Sequence, residues 1–279
     1  MSGLNESRPL TRLCTWGTLA ACTAFALLPI LWGISTALKE SGAAEVFPPQ
    51  WVPRPPTLEN FRQVLLGSSL ARYLWNSAVV AVVTILATLA VAVHAGYAAA
   101  RFRFGGKQAL LFLILATAMI PGICILVPVY LLVTGLRLHN TYLALVIVYT
   151  AWQVPTAVWI MRGFFESIHP ELEEAALMDG CSRLRAFYWI ILPLTQPGMA
   201  AVGILVFVYV WNDFLIAYVL TISDEMRLIQ SGLYLYVTAF GVEWSKLMAA
   251  SVLALLPPAV TFLFLQSRFI QGLTKGAIK

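Results

Sequence analysis

The sequence predicts an all-α polytopic membrane protein, and three observations carry that prediction. Of its 279 residues, 60% are hydrophobic and only 11% are Asp, Glu, Lys or Arg. A soluble domain is about 25% charged, so this chain has too few charges to cover its apolar surface in water. Apolar residues also gather into six segments, roughly 13–38, 75–100, 109–134, 141–161, 195–220 and 246–268. Each approaches or exceeds the ~20 residues a helix needs to cross the hydrocarbon core. Finally, the charges collect in the connections between these segments. Composition therefore excludes a cytosolic enzyme, a disordered chain and a disulfide-stapled secreted domain.

The elements follow in order. Residues 1–12 form a tail with Arg8 and Arg12. The run from Leu13 to Leu38 is too long for the apolar core of a signal peptide and has no clear cleavage site, so it is expected to stay as an anchor. The connection Lys39–Leu74 contains Pro48, Pro49, Pro53, Pro55 and Pro56, which exclude regular helix. Thr57 then suits the cap of a short amphipathic helix bearing Leu58, Phe61, Val64 and Leu65 at the membrane surface. The second connection is crowded with Arg101, Arg103 and Lys107, whereas the third carries only Arg137. The fourth has Arg162, Arg183 and Arg185, and the final tail, 269–279, follows Arg268 with Lys275 and Lys279. The positive-inside rule puts both tails and the second and fourth connections in the cytoplasm. Six crossings form one transmembrane domain over 13–268, with Pro121, Pro128, Pro155, Pro257 and Pro258 expected to kink their helices. The connection 221–244 is rich in Trp, Tyr and Phe suited to the interface.

A net charge of +5 does not signal nucleic acid, because the basic residues are scattered without a patch. Cys14, Cys22, Cys124 and Cys181 form no CxxC pair, and no metal-ligand spacing occurs.

The fourth connection, 162–191, is unlike the rest. Five of the chain's 13 acidic residues (Glu166, Glu171, Glu173, Glu174 and Asp179) lie in it. Pro170 suits a first helical position, and Glu171, Glu173 and Glu174 favour the positive end of a helix dipole. Leu172 and Ala176, with Ala175 beside them, form an apolar face. Asp179-Gly180 ends the helix, with Gly180 free to adopt the left-handed conformation. A second helix over 182–190 places Leu184, Phe187, Tyr188 and Ile191 at helical spacing. Pro193 and Pro197 then admit the next span. A helix, a tight turn and another helix projecting from a membrane suit docking into a groove of a soluble partner.

Glu174-Ala175-Ala176, three residues, Gly180, nine residues and then Ile190-x-Leu192-Pro193 resemble the EAA loop of ABC importer permeases. Trp211-Asn212-Asp213-Phe214 is similar to a stretch of the carbohydrate-importer permeases. So are Gly96-Tyr97-Ala98 through Arg103-Phe104, and the ending from Phe269. The resemblance is closest to the six-helix, maltose-type permease subunit. One departure is that His169 intervenes where the family has Ile-Pro, so Pro170 comes one residue late. The resemblance implies that the loop is a coupling helix seated on a cytoplasmic ATPase, through Glu171, Glu173, Glu174, Ala175, Ala176, Asp179, Gly180, Arg183, Phe187, Leu192 and Pro193. It further implies a dimer of ATP-binding subunits, a second homologous permease, an extracellular or periplasmic solute-binding protein, and a bacterial or archaeal plasma (inner) membrane with its lipid. ATP and Mg would be bound by the partners, with no cofactor, metal or catalytic residue in this chain, and the solute would be a sugar or a glycerol-phosphate ester.

Polar residues within spans mark candidate pathway positions. Asp213 lies ~27 Å along its helix from Thr195, at about 1.5 Å per residue. With Asn212 and Trp211 it suits a sugar, whose apolar face stacks on an indole while its hydroxyls meet the amide and carboxylate. Gln153, beside Trp152 and Pro155, falls near mid-membrane. His94, near the end of the second span, is expected to be structural. The chain lacks the GxxxxGK[ST] phosphate loop, so ATP hydrolysis is expected elsewhere. An ion-coupled secondary transporter would show paired interrupted spans and intramembrane carboxylates, and a membrane enzyme would show HExxH or GxSxG. The sequence shows no such pairing and no array of such carboxylates, Asp213 being the only acid clearly within a span, and neither motif occurs.

Overall fold

The computed structural model describes residues 9–238 and 241–277, with side chains described over 11–238 and 241–264. The expected tails fall partly outside, at residues 1–8 and 278–279. The chain divides into two compact units, 1–69 with 235–255 and 70–234 with 256–279.

In the first unit, α1 (Pro9–Ala37) is long and apolar, and its terminal carbonyls are satisfied from a distance. Asn60, buried at the start of α2 (Glu59–Leu66), donates its Nδ2 to Ala37 O at 2.8 Å and to Lys39 O at 2.6 Å. That contact supplies partners a helix end cannot supply itself. Thr57 accepts a bond from Glu59 N at 3.1 Å, but the N-cap position of α2 falls on Leu58, which makes no side-chain cap bond. On and beside α2, Val64 is buried, while Leu58 and Leu65 are exposed. The exposed Arg62 guanidinium, 2.8 Å from Glu59, holds that carboxyl down at about 2. The proline-rich connection folds back on α1, where Trp51 meets Trp32 edge-on at 4.8 Å and its carbonyl accepts from Ser35 Oγ at 2.6 Å. Lys39 places its Nζ 4.2 Å from the Trp32 ring centre, and burial lowers its pKa. A two-stranded ribbon, β1 (Val237–Thr238) and β2 (Gly241–Val242), precedes α13 (Trp244–Ala277).

The second unit is built on α3 (Leu70–Arg101), α6 (Tyr142–Ser167) and α10 (Gln196–Asn212). Val80, Leu145, Tyr149, Met161, Phe165 and Val206 are buried in one cluster. Gly96 lets α3 approach α6 closely: a Cβ there would stand 2.9 Å from Arg162 N and Met161 Cβ. Small residues serve helix packing in lipid in this way.

Among the described residues four helices are long and apolar enough to cross a membrane, or up to six if each of two bent pairs, Lys107–Ala118 with Gly122–Gly135 and Arg183–Leu194 with Gln196–Asn212, is one span. The segment 109–134 is α4 (Lys107–Ala118) and α5 (Gly122–Gly135), bent by 95°. Pro121, extended with φ −60° and ψ 130°, makes the break. It lacks an N–H and disfavours helix at the residue before it. The segment 195–220 ends its helix at Asn212, resumes as α11 (Leu215–Leu220), and is followed by α12 (Ile229–Leu233). Pro128, Pro155, Pro257 and Pro258 lie inside continuous helices. Helix α6 runs on to Ser167, supported by the Arg162–Glu166 pair at 2.7 Å. Helix α13 continues to Ala277, through most of the expected tail.

Candidate functional site

The acidic helix of the fourth connection is α7 (Pro170–Met178), which starts at the proline as expected. Gly180 adopts φ +86°, and the turn closes with Cys181 N bonded to Ala176 O at 3.0 Å and Gly180 N to Leu177 O at 3.1 Å. These are the paired bonds of a Schellman cap. Ser182 then caps α8 (Arg183–Ala186), its side chain accepting from Arg185 N at 3.3 Å. The second helix is not regular α-helix. Phe187–Ile191 is a π-turn, closed by Leu192 N on Phe187 O, before α9 (Leu192–Leu194). Pro193, with no N–H to give the preceding turn, follows directly, which disfavours regular α-helical pairing there.

The faces differ from expectation. Leu172 and Ala175 are exposed, so the inward face is Glu173 and Ala176. In the second helix Phe187 and Ile191 are buried, but Leu184 and Tyr188 are not. The outward surface consists of Glu171, Glu174, Ala175, Met178, Asp179 and Gly180, continued by Arg183 and Leu184. Met178 is 88% exposed and Leu184 71%. Leu192 is partly covered and Pro193 exposed.

Glu173 is directed away from that surface. Its Oε1 accepts from Tyr97 Oη at 2.5 Å. Its Oε2 lies 3.2 Å from Arg101 Nε, a charge contact in which the N–H is not aligned for a hydrogen bond. Arg101 also donates through Nη2 to Ile168 O at 2.8 Å, in the extended corner between α6 and α7. The ring of Tyr97 packs on Phe187 at 4.4 Å and Phe165 at 5.5 Å. Tyr97 and Arg101 stand one turn apart on α3 and were not singled out as site residues. Their i, i+4 spacing at the end of a span was the available signal.

The candidate pathway residues are not brought together as one wall. Trp211 is 2% exposed and stacked on Phe207 at 5.3 Å, so it belongs to the packed interior and presents no free face to a sugar. Asn212 is exposed but donates to Val208 O of its own helix at 2.8 Å. Asp213 is not inside a helix. Its Oδ2 accepts from Tyr149 Oη at 2.8 Å and from Ile216 N and Ala217 N at 3.0 and 3.2 Å. It caps α11, the local competition with backbone that Asp characteristically offers. Trp152 lies against Gly122, where a Cβ would stand 2.9 Å from the ring, and lines an apolar groove of 360 Å³ between α4–α5 and α6. Gln153 is partly exposed. His94 is satisfied on both nitrogens: Nδ1 donates to Ala90 O at 2.6 Å and Nε2 meets Tyr188 Oη at 2.7 Å.

The model of the family of binding-protein-dependent transport system inner membrane components matches residues 92–275. That stretch includes Tyr97, Arg101, the whole of α7 and the broken helix at Asp213. The chain belongs to this family. It is a multi-pass permease component of an ABC transport system in the inner membrane. A probable ABC transporter permease of Sinorhizobium fredii is 39% identical over 99% of this chain and 98% of its own. A sulfoquinovosyl glycerol transport system permease of Agrobacterium fabrum is 35% identical over 91% of this chain and 89% of its own. A trehalose/maltose transport system permease of Thermococcus litoralis is 33% identical over 91% of each chain. The fold matches a bacterial ABC transporter involved in import of the acidic polysaccharide alginate, with TM-score 0.82 and 22% identity over 96% of this chain and 100% of that one.

Proposed function

We propose that this permease forms half of the pathway for a sugar or sugar-like solute and is driven through the exposed face of α7. The observation that carries the coupling role is a helix with a defined start and stop that presents charged and apolar side chains outward. Pro170 starts it, the Gly180 turn stops it, and Glu171, Glu174 and Met178 face solvent. Such a surface is built for a groove in a soluble partner. The partner is a cytoplasmic ATPase dimer that binds ATP and Mg, this chain having no phosphate loop of its own. A second homologous permease and an external solute-binding protein complete the system, with both termini of this chain cytoplasmic. Relatives named for sulfoquinovosyl glycerol, trehalose/maltose and diacetylchitobiose support a glycoside as solute. Closure of the ATPase dimer would then move α7 and switch the access of the cavity.

The test is the complete transporter reconstituted in vesicles. Glu174→Lys and Gly180→Pro are expected to leave the chain inserted in the membrane while ATPase co-purification and uptake are lost. Normal uptake by both variants overturns the docking role. Uptake of labelled glycerol phosphate with no uptake of any disaccharide or glycosyl glycerol overturns the sugar assignment.

A further inference from the structure

We infer that Arg101 and Glu173, with Tyr97, form the joint that transmits movement of α7 into the membrane through α3, so that they act as positioning residues for coupling. The inference rests on the proposed docking of α7.

Helix α7 follows α6 through a corner of two residues, Ile168 and His169, both extended with ψ 127° and 128°. Left alone, such a corner is free to swing. Here it is braced from outside the α6–α7 hairpin. The guanidinium of Arg101 donates to the corner carbonyl of Ile168 at 2.8 Å and stands 3.2 Å from Glu173 in the first turn of α7. Tyr97, one turn back on α3, donates to the other carboxylate oxygen of Glu173 at 2.5 Å. Both oxygens of one buried carboxylate are thereby committed to α3. The side chains of Arg101 and Glu173 are only 12% and 11% exposed, so water does not compete effectively for the pair.

The brace has a firm foundation. At Gly96, next to Tyr97, α3 touches the α6 backbone directly. The Tyr97 ring fills the space among Phe165 of α6 and Phe187 of the π-turn. A displacement of α7 is therefore carried by three elements at once, and α3 takes it through side chains alone. Charge serves this purpose better than apolar packing: an ion pair with a shared corner carbonyl fixes direction, whereas methyl groups slide. A buried Glu on a helix whose other acids face outward has no part in the docking surface itself.

The experiment measures solute moved per ATP hydrolysed in the reconstituted complex. Variants are Glu173→Gln, Tyr97→Phe and Arg101→Lys, with Glu174→Lys as the docking control. Coupling free energies between sites correspond to about 5–150-fold, and Glu173→Gln is expected to lower solute per ATP at least about fivefold. Tyr97→Phe, which removes a single hydroxyl, should lower it less, and Arg101→Lys, which keeps the charge, should retain more than Arg101→Gln. Arg101→Gln combined with Glu173→Gln should be no worse than the poorer single variant, since both break one joint. An unchanged ratio in both Glu173→Gln and Tyr97→Phe, with Glu174→Lys still abolishing assembly, overturns the joint and leaves docking intact. Normal assembly of Glu174→Lys overturns docking, and the joint with it. Should Glu173→Gln fail to accumulate, the ratio in Tyr97→Phe and Arg101→Lys decides.

Discussion

Two carboxylates of the second unit each accept a hydrogen bond from a tyrosine, Glu173 from Tyr97 at 2.5 Å and Asp213 from Tyr149 at 2.8 Å. Beyond the tyrosine they differ. Glu173 meets a guanidinium on a helix 72 residues away in sequence, from 101 to 173, and that guanidinium also holds the corner at Ile168. Asp213 meets backbone N–H groups three and four residues ahead in its own chain. The first carboxylate ties distant elements together and requires its charge. The second repairs a local break in a helix and requires only an acceptor. A similar phenol thus serves a long-range joint in one place and a cap in the other.

That contrast can be broken by substitution. The largest effect is expected for Arg101→Ala, which leaves Glu173 buried without its counter-charge and the Ile168 carbonyl without its donor. Removing one partner of a buried pair costs about 3 kcal/mol or more, read as a lowered midpoint of thermal inactivation of the purified complex. Next is Glu173→Gln, where an amide oxygen still accepts from Tyr97 but the guanidinium is uncompensated; we expect about 2 kcal/mol. Asp213→Ala should cost about 1.5 kcal/mol, since it removes a cap and leaves the Tyr149 hydroxyl unpaired. The smallest effect is expected for Asp213→Asn. Asn and Asp cap almost equally well, so the change should be within a few tenths of a kcal/mol. If Asp213→Asn proved as damaging as Glu173→Gln in the same measurement, Asp213 would need its charge and the contrast would fail.

Much of the loop was legible from residue types alone. Pro170 could only begin a helix and Gly180 was suited to end one, because φ is locked in the first and unrestricted in the second. The surface helix after Thr57 was legible for a similar reason, through a hydroxyl that accepts from the backbone two residues on. The inward direction of Glu173 was not. Helical periodicity places Glu173 and Ala176 on one face, but a rule that turns apolar faces inward selects Leu172 and Ala176 instead. What decided otherwise was Arg101, a residue of another helix. Likewise the break at Asp213 was hidden in an apolar run, because the run continues through Leu215–Leu220 and only the carboxylate's bonds to Ile216 and Ala217 show where the helix restarts. Trp211 beside Asn212 and Asp213 reads as a sugar platform in one dimension, yet its ring is packed against Phe207.

The sequence by itself determined that the chain lives in a membrane and where along the chain its apolar segments and its charged loop lie. Those properties depend on composition, length and the backbone freedom of single residues, all of which are local. Only the tertiary structure decided which acids of α7 face outward and which is locked to α3, and that the segment 109–134 is bent. Such choices depend on which side chains from separate helices arrive within hydrogen-bonding distance, and no local pattern in the chain contains that distance.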